Sequence, residues 1–170
     1  MKNIVLIGMP GTGKSVVGQA LASRLGYEFV DVDDLIVEKA GKSLPDILRQ
    51  DGLEAFYQIE GQVGQELNRT HTIIATGGSM VLYPEAMAHL KEDSVVVWLQ
   101  TPFTQIQERM PADLYDRGIA APKDESLRDI YEERRGLYAK YADLIVASQD
   151  GEDNTAHLVE EVMRTVGLQA

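Results

Sequence analysis

Residues suited to binding phosphate occupy the stretch GMPGTGKS at positions 8–15. The stretch fits the pattern G-x-x-x-x-G-K-[ST] through Gly8, Gly13, Lys14 and Ser15. Glycines let the backbone curl so that successive N–H groups point inward, and the positive end of a following helix points to the same place. We therefore predict a phosphate cradle in which Lys14 reaches the β- and γ-phosphates of a nucleotide and Ser15 ligates Mg²⁺. The predicted nucleotide-binding residues are Gly11, Thr12, Gly13, Lys14, Ser15 and Val16.

Two carboxylates follow the second apolar run, in the sequence FVDVD at 29–33. Side chains two apart on a strand share a face, and the carboxyl ends of parallel strands border the ligand crevice. We expect Asp31 and Asp33 to lie beside the phosphate cradle, one holding hydrated Mg²⁺ and the other orienting or deprotonating an acceptor hydroxyl. The alternative is that both only cap a helix that begins at Asp34.

The elements that must position these residues alternate along the chain. Short apolar runs predict strands at 4–7, 28–31, 72–76, 95–99 and 144–147, and amphipathic stretches predict helices between them. The predicted helices span 14–25, 34–40, 44–50, 53–68, 84–90, 102–110, 127–141 and 155–166. This alternation is typical of a parallel α/β sheet. Residues 111–125 lack clear periodicity, and a loop of that length in a compact domain is typical of a functional lid or of a disordered segment.

Length, charge and composition limit the possible functions. The chain has 170 residues, 44% of them hydrophobic, which predicts one domain over 1–170. A formal net charge of −11 disfavours nucleic-acid and membrane partners, because both need basic surfaces. The chain has no cysteine, and its N-terminal apolar run is too short for a signal peptide or a membrane span. We expect a cytoplasmic monomer that acts on a small molecule.

Over nearly its whole length, the chain resembles the shikimate kinase family. The resemblance rests on GMPGTGKS, FVDVD, DGLEAFYQIE at 51–60, ATGGSM at 75–80 and RRGLY at 134–138. It implies a P-loop kinase fold of three α/β/α layers with a five-stranded parallel sheet, a substrate-binding helical region and a mobile lid. It also implies ATP-dependent, Mg²⁺-dependent phosphorylation of shikimate at its 3-hydroxyl, a step of aromatic amino acid biosynthesis.

The resemblance assigns roles to individual residues on both sides of the reaction. On the nucleotide side Ser15 and Asp31 serve Mg²⁺, Arg109 lies near adenine, and Arg117 closes over the phosphates with the lid. Lys14, Asp33 and Arg117 are the implied catalytic residues.

On the acceptor side, the resemblance implies that Asp33 contacts the hydroxyls and that Gly77 and Gly78 bring backbone N–H groups to the substrate. Arg135 matches the arginine that grips the substrate carboxylate. We interpret its neighbour Arg134, like Arg128, as an ordinary ion-pair partner of nearby acidic residues on the helix.

The chain departs from the family pattern at several positions of the acceptor side. Tyr57 stands where the family has a second carboxylate-binding arginine, so we assign Tyr57 to the substrate site. Leu53 replaces a glutamate, Ser79 replaces a third glycine, and the lid reads DRGI at 116–119 without the family's arginine-proline-leucine run. A tyrosine hydroxyl supplies only a neutral hydrogen bond in place of a charged one.

These departures leave two alternatives to a shikimate kinase. One is a related kinase that phosphorylates another small hydroxylated metabolite. The other is a nucleotide-binding regulator without kinase activity, although the joint presence of Lys14, Ser15, Asp31 and Asp33 argues against it.

Overall fold

Five strands form a single parallel sheet in the computed structural model, which describes residues 2–148 and 155–167. They are β1 (Asn3–Ile7), β2 (Glu28–Asp31), β3 (Thr72–Ala75), β4 (Ser94–Gln100) and β5 (Leu144–Ala147). Their order in the sheet is β2-β3-β1-β4-β5. The five predicted strands are confirmed, each boundary lying within about one residue of its prediction.

Eight helical segments connect or flank these strands in the described residues. They are α1 (Lys14–Leu25), α2 (Val32–Ala40), α3 (Leu44–Asp46, continued by a π-helical turn over Ile47–Asp51), α4 (Leu53–Glu66), α5 (Pro84–Lys91), α6 (Phe103–Arg109), α7 (Leu127–Tyr141) and α8 (Thr155–Val166). Two 3₁₀ turns, Met80–Leu82 and Leu114–Arg117, were not predicted from the sequence.

The helices cover both faces of the sheet, so the predicted three-layer architecture is confirmed. Along β1 the side chains alternate between two apolar cores, as the period of two in a strand requires. Ile4 and Leu6 pack with α1 and α8, whereas Val5 and Ile7 pack with α2, α4, α5 and α7. Burial on both faces explains why these strands read as continuous apolar runs.

The carboxyl ends of β1, β2 and β3 meet at one edge of the sheet, where a ligand crevice is expected. Ala75 of β3 is in register with Leu6 on one side and with Asp31 on the other. Three chain segments therefore leave the sheet side by side, and they form the site described below. No helix in the described part of the chain is long and apolar enough to cross a bilayer. The single domain over 1–170 stays a prediction, because residues 1, 149–154 and 168–170 lie outside the residues that the structure describes.

Candidate active site

The phosphate loop between β1 and α1 is built around a buried lysine. Gly11 and Gly13 adopt φ values of 83° and 86°, a left-handed conformation that few residues other than glycine tolerate. The Lys14 side chain turns back into the loop, where Nζ donates hydrogen bonds to the carbonyl oxygens of Gly8 at 2.7 Å and Met9 at 2.8 Å. The loop is thus held in its curled form by the lysine that is predicted to meet the phosphates.

Burial lowers the pKa of Lys14 to about 8, because the charged ammonium loses its water. The carboxylates of Asp33 and Asp31 act in the opposite direction. Lys14 therefore keeps its positive charge over most of its population at neutral pH, as phosphate binding requires.

Asp31 at the end of β2 performs two tasks at once. Its Oδ1 accepts a hydrogen bond from the backbone N–H of Asp33 at 2.9 Å and so caps α2, while its Oδ2 accepts one from Ser15 Oγ at 2.6 Å. The helix-capping alternative and the site assignment of Asp31 are thus compatible.

The pair Ser15 and Asp31 fits the requirements of Mg²⁺. A hydroxyl and a carboxylate oxygen lie side by side, and Mg²⁺ prefers one or two such protein ligands supplemented by phosphate oxygens and water. The described residues contain no group of three or more histidine, cysteine or acidic side chains able to hold a metal by themselves. A cation bound here would take its remaining oxygen ligands from a bound phosphate and from water.

Asp33 reaches the site from a helix and not from a strand. Because α2 begins at Val32, Asp33 lies in its first turn, and the expectation that Asp31 and Asp33 share a strand face is wrong. Both still line the same cavity of about 290 Å³. Burial, together with the charge of Asp31, raises the pKa of Asp33 to about 6. Asp33 is therefore able to accept a proton near neutral pH.

The loop after β3 closes one side of this cavity. Gly77 and Gly78 both line it. A Cβ atom on Gly78 would lie 2.7 Å from Cδ of Pro10, so the absence of a side chain lets this loop pack against the phosphate loop. The carbonyl oxygen of Gly78 accepts a hydrogen bond from the Tyr138 hydroxyl at 2.6 Å, which fixes the loop to α7.

The two adjacent arginines of α7 have opposite environments. Arg134 is 3% exposed, lines the cavity and donates a hydrogen bond to the carbonyl oxygen of Ala120. The Arg135 side chain is 53% exposed, lies 3.6 Å from a Glu132 carboxylate oxygen and is not part of the cavity wall. The cavity wall thus contains Arg134 and not Arg135, contrary to the expected place of Arg135, and the interpretation of Arg134 as an ion-pair partner of nearby acidic residues is wrong.

Helical geometry gives the reason for this correction. Successive residues of an α-helix point about 100° apart, so Arg134 and Arg135 leave α7 in different directions. The buried positions of α7 are Ile130, Arg134, Tyr138 and Tyr141, spaced by four, four and three residues. That spacing was readable in the sequence and would have selected Arg134.

Arg109 and Arg117 lie next to the phosphate loop. Arg109 Nη1 donates a hydrogen bond to the Gly11 carbonyl oxygen, and Arg117 Nη1 donates one to the Arg109 carbonyl oxygen at 2.7 Å. Arg117 also lines the cavity. These positions are compatible with the predicted roles near adenine and over the phosphates.

The predicted lid at 111–125 is tied to the helical region after β2. Its 3₁₀ turn brings Asp113 and Asp116 to Arg49, with a distance of 3.2 Å between Arg49 Nη2 and an Asp113 carboxylate oxygen. Within the lid, the Tyr115 hydroxyl donates a hydrogen bond to the Ala121 carbonyl oxygen at 3.0 Å. The mobility of this segment stays a prediction.

Tyr57 does not line the cavity, contrary to its assignment to the substrate site. The half-buried ring packs edge-on against Tyr83, with 5.9 Å between ring centroids and an interplanar angle of 72°. The predicted direct contact between Tyr57 and substrate is therefore not supported by the geometry.

Glu60 on α4 is a cavity residue that the sequence analysis did not identify. It is 1% exposed, and its Oε1 accepts hydrogen bonds from Ser79 Oγ and, at 2.9 Å, from the Tyr83 hydroxyl. Burial raises the pKa of Glu60 to about 7, and the two hydrogen bonds lower it in part. The available signal was its spacing of four residues from Phe56, which places an acidic group on the buried face of α4.

The chain is similar to one family of known proteins in sequence and in fold. The sequence profile of the family described as Shikimate kinase matches residues 10–167. A shikimate kinase of Synechococcus sp. (strain RCC307) is 41% identical over 150 residues, which make up 86% of this chain and 76% of that protein. A shikimate kinase of Sulfurihydrogenibium sp. (strain YO3AOP1) is 32% identical over 167 residues, 98% of each chain. The solved structure of a shikimate kinase from Acinetobacter baumannii in complex with shikimate matches at a TM-score of 0.85 and 30% identity, covering 96% of this chain and 92% of that one.

Proposed function

The chain belongs to the shikimate kinase family, and from that premise we propose that it transfers the γ-phosphate of ATP to the 3-hydroxyl of shikimate. The observation that carries the proposal is the shared cavity behind the phosphate loop. Its wall combines the cations Lys14 and Arg134 with Ser15 and the carboxylates of Asp31 and Asp33. Two cations, a metal-binding pair and a carboxylate that can accept a proton are what a phosphate donor and a small hydroxy acid require.

The proposed reaction forms a bond from the acceptor oxygen to the γ-phosphorus and breaks the bond from that phosphorus to the β–γ bridging oxygen. Asp33 orients the acceptor hydroxyl and takes its proton, which the raised pKa of this carboxyl favours. Lys14 and Arg117 stabilise the negative charge that shifts toward the leaving ADP. Mg²⁺ held by Ser15 and Asp31 would neutralise phosphate charge.

Other residues complete the proposed complex without taking part in bond changes. Residues 11–16 hold the phosphates, and Arg109 lies near adenine. Gly77 and Gly78 present backbone N–H groups to the acceptor. A cytoplasmic monomer without nucleic-acid or membrane partners remains a prediction from the sequence.

Purified protein supplied with Mg²⁺ and ATP is expected to release ADP at a rate that depends on the shikimate concentration. Parallel assays with other hydroxy acids, polyols and nucleosides as acceptors address the alternative of a related kinase. Negligible turnover at millimolar shikimate would rule out the proposed substrate. Turnover with another acceptor but not with shikimate would support a kinase activity and show that the substrate is that other acceptor.

Arg134 is proposed to bind the shikimate carboxylate, in place of Arg135. Arg134→Lys retains the charge but loses the paired hydrogen bonds of a guanidinium, so KM for shikimate is expected to rise about tenfold or more with a smaller change in kcat. Arg135→Lys is the matched control on the exposed face of α7 and is expected to leave KM unchanged. The reverse pattern in steady-state kinetics would restore the sequence-based assignment of Arg135.

A further inference from the structure

One carboxyl oxygen in the cavity wall has no partner although it is buried. Both hydrogen bonds to Glu60 reach Oε1, from Ser79 and Tyr83. Oε2 of the same carboxyl makes no hydrogen bond with any residue that the structure describes. A buried polar atom without a partner is costly, and such atoms call for a specific explanation.

Glu60 Oε2 lies close to the residues proposed to bind the acceptor. A Cβ atom on Gly77 would lie 2.9 Å from Glu60 Oε2 and 3.0 Å from Asp33 Oδ1. Carboxyl groups from α4 and α2 therefore converge on the same glycine of the cavity wall. Asp33 is the proposed proton acceptor, so an acceptor hydroxyl bound to Asp33 would stand next to Glu60.

Two hydrogen bonds to Oε1 fix the orientation of the Glu60 carboxyl. Ser79 Oγ and the Tyr83 hydroxyl both donate to Oε1, which leaves Oε2 free of these two donors. The Tyr57 ring packs edge-on against the Tyr83 ring and restricts its position. An effect of Tyr57 on Glu60 would therefore pass through the Tyr83 ring.

We propose that Ser79 and Tyr83 are positioning residues of the acceptor site: by donating to Glu60 Oε1 they present Glu60 Oε2 to a hydroxyl of the acceptor, beside the hydroxyl held by Asp33. The proposal deepens the proposed function, since it assumes an acceptor with neighbouring hydroxyl groups such as shikimate. It makes Glu60 a determinant of specificity for polyhydroxylated acceptors.

The charges that face Glu60 come from several elements. Asp33 of α2 raises the pKa of this carboxyl and Arg134 of α7 lowers it, while the Ser79 and Tyr83 donors favour its charged form. The phenols of Tyr57 and Tyr138 also lie in the electrostatic range of Glu60 or its partners. Removal of one donor must therefore raise the pKa of Glu60.

Kinetics of Ser79→Ala and Tyr83→Phe test the contact with the acceptor. Each variant is expected to raise KM for shikimate about three- to tenfold, the effect of one lost hydrogen bond, with little change in kcat or in KM for ATP. Tyr57→Phe keeps the ring packing and is expected to match the wild type, whereas Tyr57→Ala is expected to raise KM for shikimate. Unchanged KM for shikimate in both Ser79→Ala and Tyr83→Phe would overturn the proposal.

Carboxyl NMR titration of the protein without substrate separates this inference from the proposed function. The pKa of Glu60 is expected to be about 7 in the wild type and higher in Ser79→Ala and in Tyr83→Phe. An identical titration in all three proteins would overturn the positioning role even if the wild type phosphorylates shikimate. If the titrations shift as expected but shikimate is not phosphorylated, the proposed substrate fails while the positioning of Glu60 stands.

Discussion

Lys14→Ala is expected to lower kcat by about three orders of magnitude or more, because the ammonium neutralises charge that moves between the β- and γ-phosphates in the transition state. A thousandfold loss corresponds to about 4 kcal/mol of transition-state stabilisation. The same side chain also holds the carbonyl groups of Gly8 and Met9, so nucleotide affinity is expected to fall as well. Steady-state kinetics and nucleotide titration measure the two effects separately.

The control for this variant must separate loss of a charge from loss of fold. Lys140→Ala removes an exposed lysine from the last turn of α7 and is expected to keep full activity. Thermal unfolding of Lys14→Ala should remain cooperative, since the two cores on either side of the sheet do not depend on Nζ. Activity near that of the wild type in a folded Lys14→Ala protein would contradict the kinase assignment.

Asp33→Asn is expected to reduce kcat by about two orders of magnitude or more, while nucleotide binding changes little. Asparagine retains the shape of the side chain but cannot take the proton of the acceptor hydroxyl. Asp34→Asn is the matched control, because Asp34 is the next residue on α2 and is exposed.

The pH dependence of the same reaction gives a second measure of Asp33. A base with a pKa of about 6 must lose its proton before it can act, so activity is expected to fall as the pH drops below about 6. This acid limb should be absent from the residual activity of Asp33→Asn. If Asp33→Asn instead weakened nucleotide binding and left kcat unchanged, Asp33 would belong to the Mg²⁺ site.

The features that the sequence predicted correctly are those determined by local chemistry. The phosphate loop needs glycine at positions with positive φ and a helix directly after it, and both requirements are visible within residues 8–15. The strands are buried on both faces, so their apolar runs and flanking turn residues define them closely. The start of α2 was predicted two residues too late, because the cap of this helix is Asp31, a residue type preferred at N-caps, and not Asp33.

The features that it did not predict depend on contacts between distant segments. Glu60, Ser79 and Tyr83 form one cluster only because α4 packs beside the segment that follows β3. The choice between Arg134 and Arg135 is the exception, because the spacing of the buried positions along α7 is local and readable in the sequence. Tyr57 was assigned by its place in a motif, whereas its ring packs against Tyr83 and is not part of the cavity wall.

The central position of β1 has a consequence for the order in which the protein can acquire its site during synthesis. Ile4 pairs with Ile73 on one side and with Val95 on the other, so both neighbours of β1 leave the ribosome long after it. Pairing between segments this far apart in sequence forms slowly, and an unpaired apolar strand is prone to aggregation in the interval. The phosphate-binding motif is thus made well before the β3 and β4 segments with which β1 pairs, and the strand that precedes the loop gains its neighbours only after both segments have emerged.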